Sequence, residues 1–72
     1  MATYVGIDIA KHSFDMAIDS EQNVQHFDND AKGIQTCGKR LKQLKPDLIV
    51  MESTGGYEKA LVDQLQTLHL PV

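Results

Sequence analysis

Two acidic residues, Asp8 and Glu52, stand in segments where a carboxylate is expensive to keep. Asp8 lies within Tyr4 to Ala10, where Val5, Ile7 and Ile9 alternate with Tyr4, Gly6 and Asp8, the period-two signature of a strand with two unlike faces. Glu52 directly follows the apolar run Leu48, Ile49, Val50 and Met51. Burying an ionised carboxylate without compensation costs several kcal/mol, so each must sit at an opening, pair with a base or bind a cation. If the two strands are neighbours, their backbones lie about 4.8 Å apart and the side chains converge on one position. A shared cation then offsets both costs. Mg²⁺, or Mn²⁺ in its place, suits such a site because Mg²⁺ prefers hard oxygen ligands at about 2.0–2.1 Å and fills its remaining positions with water or phosphate. In two-metal phosphoryl transfer, ions about 3.5–4 Å apart activate the attacking oxygen and stabilise the leaving one. That centre needs about four carboxylates, of which two well-placed ones are visible. Taken without further motifs, strand-end exposure with water or a lysine as partner explains the two acids equally well.

The elements that must position them can be read in order. After the polar break Lys11-His12-Ser13, Phe14, Met16 and Ile18 alternate with Asp15, Ala17 and Asp19, which predicts a second strand pairing antiparallel with the first. Ser20 to Asn23 is rich in turn formers and leads to a weaker third strand, Val24 to Phe27. Asn29 and Asp30 offer N-caps for a helix carrying Ile34, Cys37, Leu41 and Leu44 on one stripe, and Pro46 stops it. The continuous run Leu48 to Met51 predicts a central parallel strand covered on both faces. Gly55 and Gly56 make the turn into a second helix with Tyr57, Ala60, Leu61, Leu65 and Leu68 at helical spacing, and Pro71-Val72 looks like the opening of another strand. The order is β-β-β-α-β-α, with a helical crossover that makes the fourth strand parallel to the first. This α/β mixed sheet is the opening of a ribonuclease-H-like fold, with residues 1–72 expected to be the amino-terminal part of a single domain, truncated before the fifth strand. The competitor is an unrelated small α+β domain with the same element order.

Composition narrows the class without naming a function. Hydrophobic residues make up 42% of the 72 and charged residues 24%, which argues against wholesale disorder and against a membrane span. The formal charge of −3 does not announce a nucleic-acid binder, although a carboxylate site accounts for part of it. The single cysteine, Cys37, rules out an internal disulfide framework, and no secretory signal is visible, so a cytoplasmic location is expected.

Two segments carry a family resemblance. Val5-Gly6-Ile7-Asp8-Ile9-Ala10-Lys11, followed by Phe14-Asp15-Met16-Ala17, resembles the start of bacterial insertion-sequence transposases with a DEDD catalytic domain, the insertion-sequence family numbered one hundred and ten. The second segment, Val50-Met51-Glu52-Ser53-Thr54-Gly55-Gly56-Tyr57, runs on through an amphipathic helix to His69-Leu70-Pro71-Val72 and matches in order and separation. The resemblance implies a RuvC-like domain in which Asp8 and Glu52 are the first two acidic ligands, holding divalent cations for DNA strand cleavage and transfer. It also implies third and fourth acids on a later helix, a carboxyl-terminal domain with a recombination serine, DNA as partner, and in some relatives a structured guide RNA. On this reading the 72 residues alone are expected to be inactive, although the parent protein is an enzyme.

Weaker signals surround the two acids. Ser53, Thr54, Gly55 and Gly56 could receive a DNA phosphate on outward N–H groups, with helix capping by Ser53 or Thr54 as the plainer account. Lys11 favours a phosphate or carboxylate contact, with an exposed turn lysine as an equal alternative. Asp15 and Asp19 share the parity of Asp8 and could line a cleft, or simply face solvent. Tyr57 is expected as a core anchor rather than a base-stacking residue. Lys32, Lys39, Arg40, Lys42 and Lys45 read as the solvated face of the first helix, and His12, His26 and His69 show no metal-ligand spacing. Two other classes fit less well. A nucleotide-binding actin or sugar-kinase module shares the fold opening, but Ala10 and Lys11 replace its Gly-rich phosphate loop. A non-catalytic self-associating module would exploit an open apolar edge on the fourth strand, from which a homo-oligomer is expected.

Overall fold

The computed structural model describes residues 2–19, 23–53 and 55–72. The expected turn at Ser20 to Asn23 therefore lies largely outside the described residues, as does Thr54. Six elements follow in order: β1 (Tyr4–Ile9), β2 (Ser13–Ile18), β3 (Val24–Asp28), α1 (Ala31–Leu44), β4 (Leu48–Ser53) and α2 (Lys59–Thr67). They form one four-stranded sheet ordered β3-β2-β1-β4. β1 pairs antiparallel with β2, β2 antiparallel with β3, and β1 parallel with β4. The mixed α/β sheet with this order is consistent with the ribonuclease-H-like fold that the sequence predicts.

The period-two alternation in sequence becomes a two-faced sheet. Val5, Ile7 and Ile9 of β1, Phe14, Met16 and Ile18 of β2 and Ile49 of β4 are buried in one core with Ile34, Cys37 and Leu41 of α1 and Leu61 and Leu65 of α2. Phe14 stacks on Phe27 with ring centroids 5.3 Å apart, which extends the core to β3. Cys37 packs there as a small apolar group. Burial pushes its thiol up to about 12, so it is protonated and unreactive near neutral pH.

Helix α1 begins where the capping residues place it. Of the two candidates, Asp30 is the N-cap, its Oδ1 accepting from Gly33 N at 2.8 Å. Lys45 closes the other end in the left-handed region, its N–H bonding to Leu41 O, and Pro46 follows. Gly33 is required by a close approach: a Cβ there would lie 1.9 Å from Asp28 O. Helix propensity favours alanine at an interior position by about 1 kcal/mol. The clash outweighs that gain, since forced overpacking costs about 1–3 kcal/mol. Gly33→Ala is therefore expected to lower the urea midpoint despite the better helix former, and an unchanged or raised midpoint would contradict the close packing of α1 on the end of β3.

Two expectations are corrected. The fourth strand is not central and is not covered on both faces. It lies at the end of the sheet beside β1, and Leu48 and Val50 are 47% and 51% exposed while Ile49 is buried. Its apolar run reflects an alternating strand whose outward residues happen to be apolar, and both helices pack on the opposite face. Along its outer edge, Ile49 N donates to Pro71 O at 2.9 Å, so Pro71-Val72, expected as the opening of another strand, meets β4 through one bond without forming a strand. The second correction concerns α2. Its N-cap is Glu58, not Ser53, because Gly55 and Gly56 both adopt the left-handed region and a turn through Tyr57 delays the helix to Lys59.

Candidate functional site

Register places one residue from each strand in a single row across the open face of the sheet. His26 of β3 is opposite Asp15 of β2, Asp15 is opposite Asp8 of β1, and Asp8 is opposite Glu52 of β4. The alternation that buries Ile7, Ile9 and Ile49 turns Asp8 and Glu52 to the same, exposed side. Neither carboxylate is buried. The desolvation problem is therefore met by an opening, the first of the three resolutions available from sequence.

The opening is a pocket of about 390 Å³ lined by Asp8, Asp15 and Glu52 with Gly6, Ala17 and Val50 among its other walls. Its floor is kept low by two small residues, Gly6 and Ala17, which face each other across β1 and β2. A Cβ at Gly6 would meet nothing within 4 Å, so the space beside the two acids is unfilled. Asp15 lines this pocket, whereas Asp19 lies toward the other end of the sheet face with Tyr4 and Gly6. Sequence parity alone allowed either. Asp15 is partly engaged, since His26 Nδ1 donates to its Oδ1 at 2.6 Å. The two side chains are 52% and 64% exposed, so the pair orients groups more than it stabilises the fold.

The donor set tests the fit to a divalent cation. Asp8 and Glu52 offer hard carboxylate oxygens over unfilled space, the donor type that Mg²⁺ and Mn²⁺ prefer. Among the described residues, no group of three or more His, Cys, Asp or Glu side chains converges closely enough to hold an ion alone. Two carboxylates would supply only part of a magnesium shell, an ion that usually keeps several waters.

The remaining candidates are more scattered. Lys11 is exposed in the turn after β1, with no ion pair among the described residues. Ser53 ends β4, and its Oγ is buried with no hydrogen-bond partner. Gly55 and Gly56 follow with φ of 85° and 76°, and a Cβ on Gly55 would press on the Tyr57 ring at 2.9 Å. Tyr57 is 41% exposed, so it is not the core anchor its position suggested. Glu58 was not anticipated: its Oε2 is buried without a partner at the start of α2, where a negative charge is favoured by the helix dipole.

The mixed four-stranded sheet and its β-β-β-α-β-α order are those of a ribonuclease-H-like fold. Comparison with known families sharpens the class: the transposase family DEDD_Tnp_IS110 matches residues 5–72. The chain belongs to this DEDD transposase family of the IS110 type. A comparison with curated proteins finds no significant match. No helix among the described residues is long and apolar enough to cross a membrane.

Proposed function

We propose that residues 1–72 form the opening part of a RuvC-like transposase domain in which Asp8 and Glu52 hold Mg²⁺ or Mn²⁺ for DNA strand cleavage and transfer. The in-register pairing of Asp8 with Glu52 on parallel strands, on one exposed face and over one pocket, is the observation that carries this reading. A bound ion supplies Lewis-acid stabilisation to the attacking and leaving oxygens of a phosphodiester. The two carboxylates would hold it, and the small residues Gly6 and Ala17 beside them leave space in the pocket for a phosphate group. Lys11 lies in the turn after β1, Ser53 ends β4, and Gly55 and Gly56 follow it in the turn before α2, where they can receive adjoining DNA phosphates. Thr54 itself lies outside the described residues.

A DEDD centre uses four acids, and Asp8 and Glu52 are two of them. These 72 residues alone therefore bind the ion weakly and do not cleave DNA. The partner of the whole protein is DNA, with a structured RNA as a second nucleic-acid partner where the element encodes one. β4 is an end strand whose outer edge carries one bond, from Ile49 N to Pro71 O, and self-association along that edge is part of the reading; light scattering that finds only monomer would remove it.

Titration of Mn²⁺ into the isotopically labelled chain tests the cation site. Paramagnetic broadening is expected first at amides near Asp8 and Glu52, and Asp8→Asn should suppress it at both strands. Uniform broadening, or broadening centred elsewhere, would contradict the assignment.

A further inference from the structure

The acid-bearing strands both end in turns, and one side chain joins those turns. Asn29, between β3 and α1, donates through Nδ2 to Ala10 O at 3.1 Å and to Tyr57 O at 3.3 Å. Its backbone N donates to His12 O at 2.9 Å. Ala10 lies two residues beyond Asp8, and Tyr57 five beyond Glu52. The capping role that sequence allowed for Asn29 is filled by Asp30, which leaves the Asn29 amide for this task. A carboxamide suits it, because its NH₂ group has two protons and can satisfy two carbonyls at once.

We infer that Asn29 is a positioning residue for the cation site: it clips the segment after Asp8 to the segment after Glu52 and so fixes the separation of the two carboxylates. This rests on the reading of Asp8 and Glu52 as ligands. The turn that needs fixing is intrinsically loose, since Gly55 and Gly56 have the largest conformational freedom of any residues and both occupy the left-handed region. A magnesium site tolerates little movement because the ion demands near-ideal octahedral geometry. Asn29 bonds to the backbone carbonyls of Ala10 and Tyr57 rather than to a carboxylate, and acts through the backbone, as outer-shell groups do when they orient ligands.

Two variants separate positioning from folding. Asn29→Ala removes the side-chain clip, and Asn29→Asp keeps its shape while placing an acceptor against two carbonyl oxygens. Both retain the backbone bond to His12. In metal-free buffer, amide spectra should show new exchange broadening or shifts at residues 10–12 and 55–57 while β1, β2 and α1 keep their resonances. Mn²⁺ affinity should fall roughly tenfold, the lower end of outer-shell effects, at temperatures where urea titration shows the variants folded. Unchanged metal-free spectra at both turns would overturn the clip. Altered turns with Mn²⁺ affinity unchanged would overturn its role in positioning. If the parent chain shows no Mn²⁺ site at Asp8 and Glu52, the cation reading fails and takes the positioning role with it, whereas a parent site that survives both variants intact removes only the inference about Asn29.

Discussion

If Asp8 is a metal ligand as proposed, Asp8→Asn is expected to abolish Mg²⁺-dependent DNA cleavage by an active transposase carrying this domain while leaving the fold intact and slightly more stable. The two effects have opposite signs for one reason. Asp8 sits directly opposite Asp15 on one side and Glu52 on the other, so three carboxylates repel across adjacent strands when no cation is bound. Like charges directly opposite are destabilising, and with exposed groups the relief on neutralising the middle one is a few tenths of a kcal/mol. Catalysis moves the other way. Removing a charged ligand forfeits metal stabilisation of transition-state charge worth several kcal/mol, or about a thousandfold in rate if the loss is near 4 kcal/mol. Cleavage assays with thermal denaturation of the same variant check both. A variant that loses activity because it unfolds would speak for a structural carboxylate instead.

Phe14→Ala is expected to bring the chain close to unfolding at room temperature. Phe14 is 1% exposed, pairs with Ile9 across β1 and β2, and stacks on Phe27, so its ring joins three strands and the core beneath them. Truncating a buried Phe to Ala costs about 3–5 kcal/mol. The per-residue scale gives a 72-residue domain roughly 4–11 kcal/mol in total, and domains of this size sit toward the weak end because they bury only about 60% of their unfolded surface. Val24→Ala is the control: Val24 is 60% exposed, and its truncation should change stability by no more than about 0.5 kcal/mol. Circular dichroism on urea titration of the two variants should show a lost or strongly shifted transition for the first alone.

The parts of the fold that depend on local pattern were legible in the sequence. The alternations in β1 and β2 are period-two because one face of each strand meets the helices, and the stripe of Ile34, Cys37 and Leu41 points where its spacing says. The Asp8 and Glu52 pairing was legible too, as a consequence of parallel neighbours in register. What failed was decided by space. An apolar run such as Leu48 to Met51 does not say what covers its outward side, and here Leu48 and Val50 are half exposed. The start of α2 was misplaced because glycines announce a turn without fixing its length. The link from Asp15 to His26 depends on the register of β2 against β3, and the bridge made by Asn29 on turns distant in sequence. Neither has a local signature.

Crystals of the chain grown or soaked with Mn²⁺ give the most direct measurement. Anomalous difference density is expected between Asp8 and Glu52 on the open face of the sheet, with a carboxylate oxygen from each at roughly 2.1 Å. Density bound elsewhere, or none with both side chains pointing apart into solvent at saturating metal, would contradict the account.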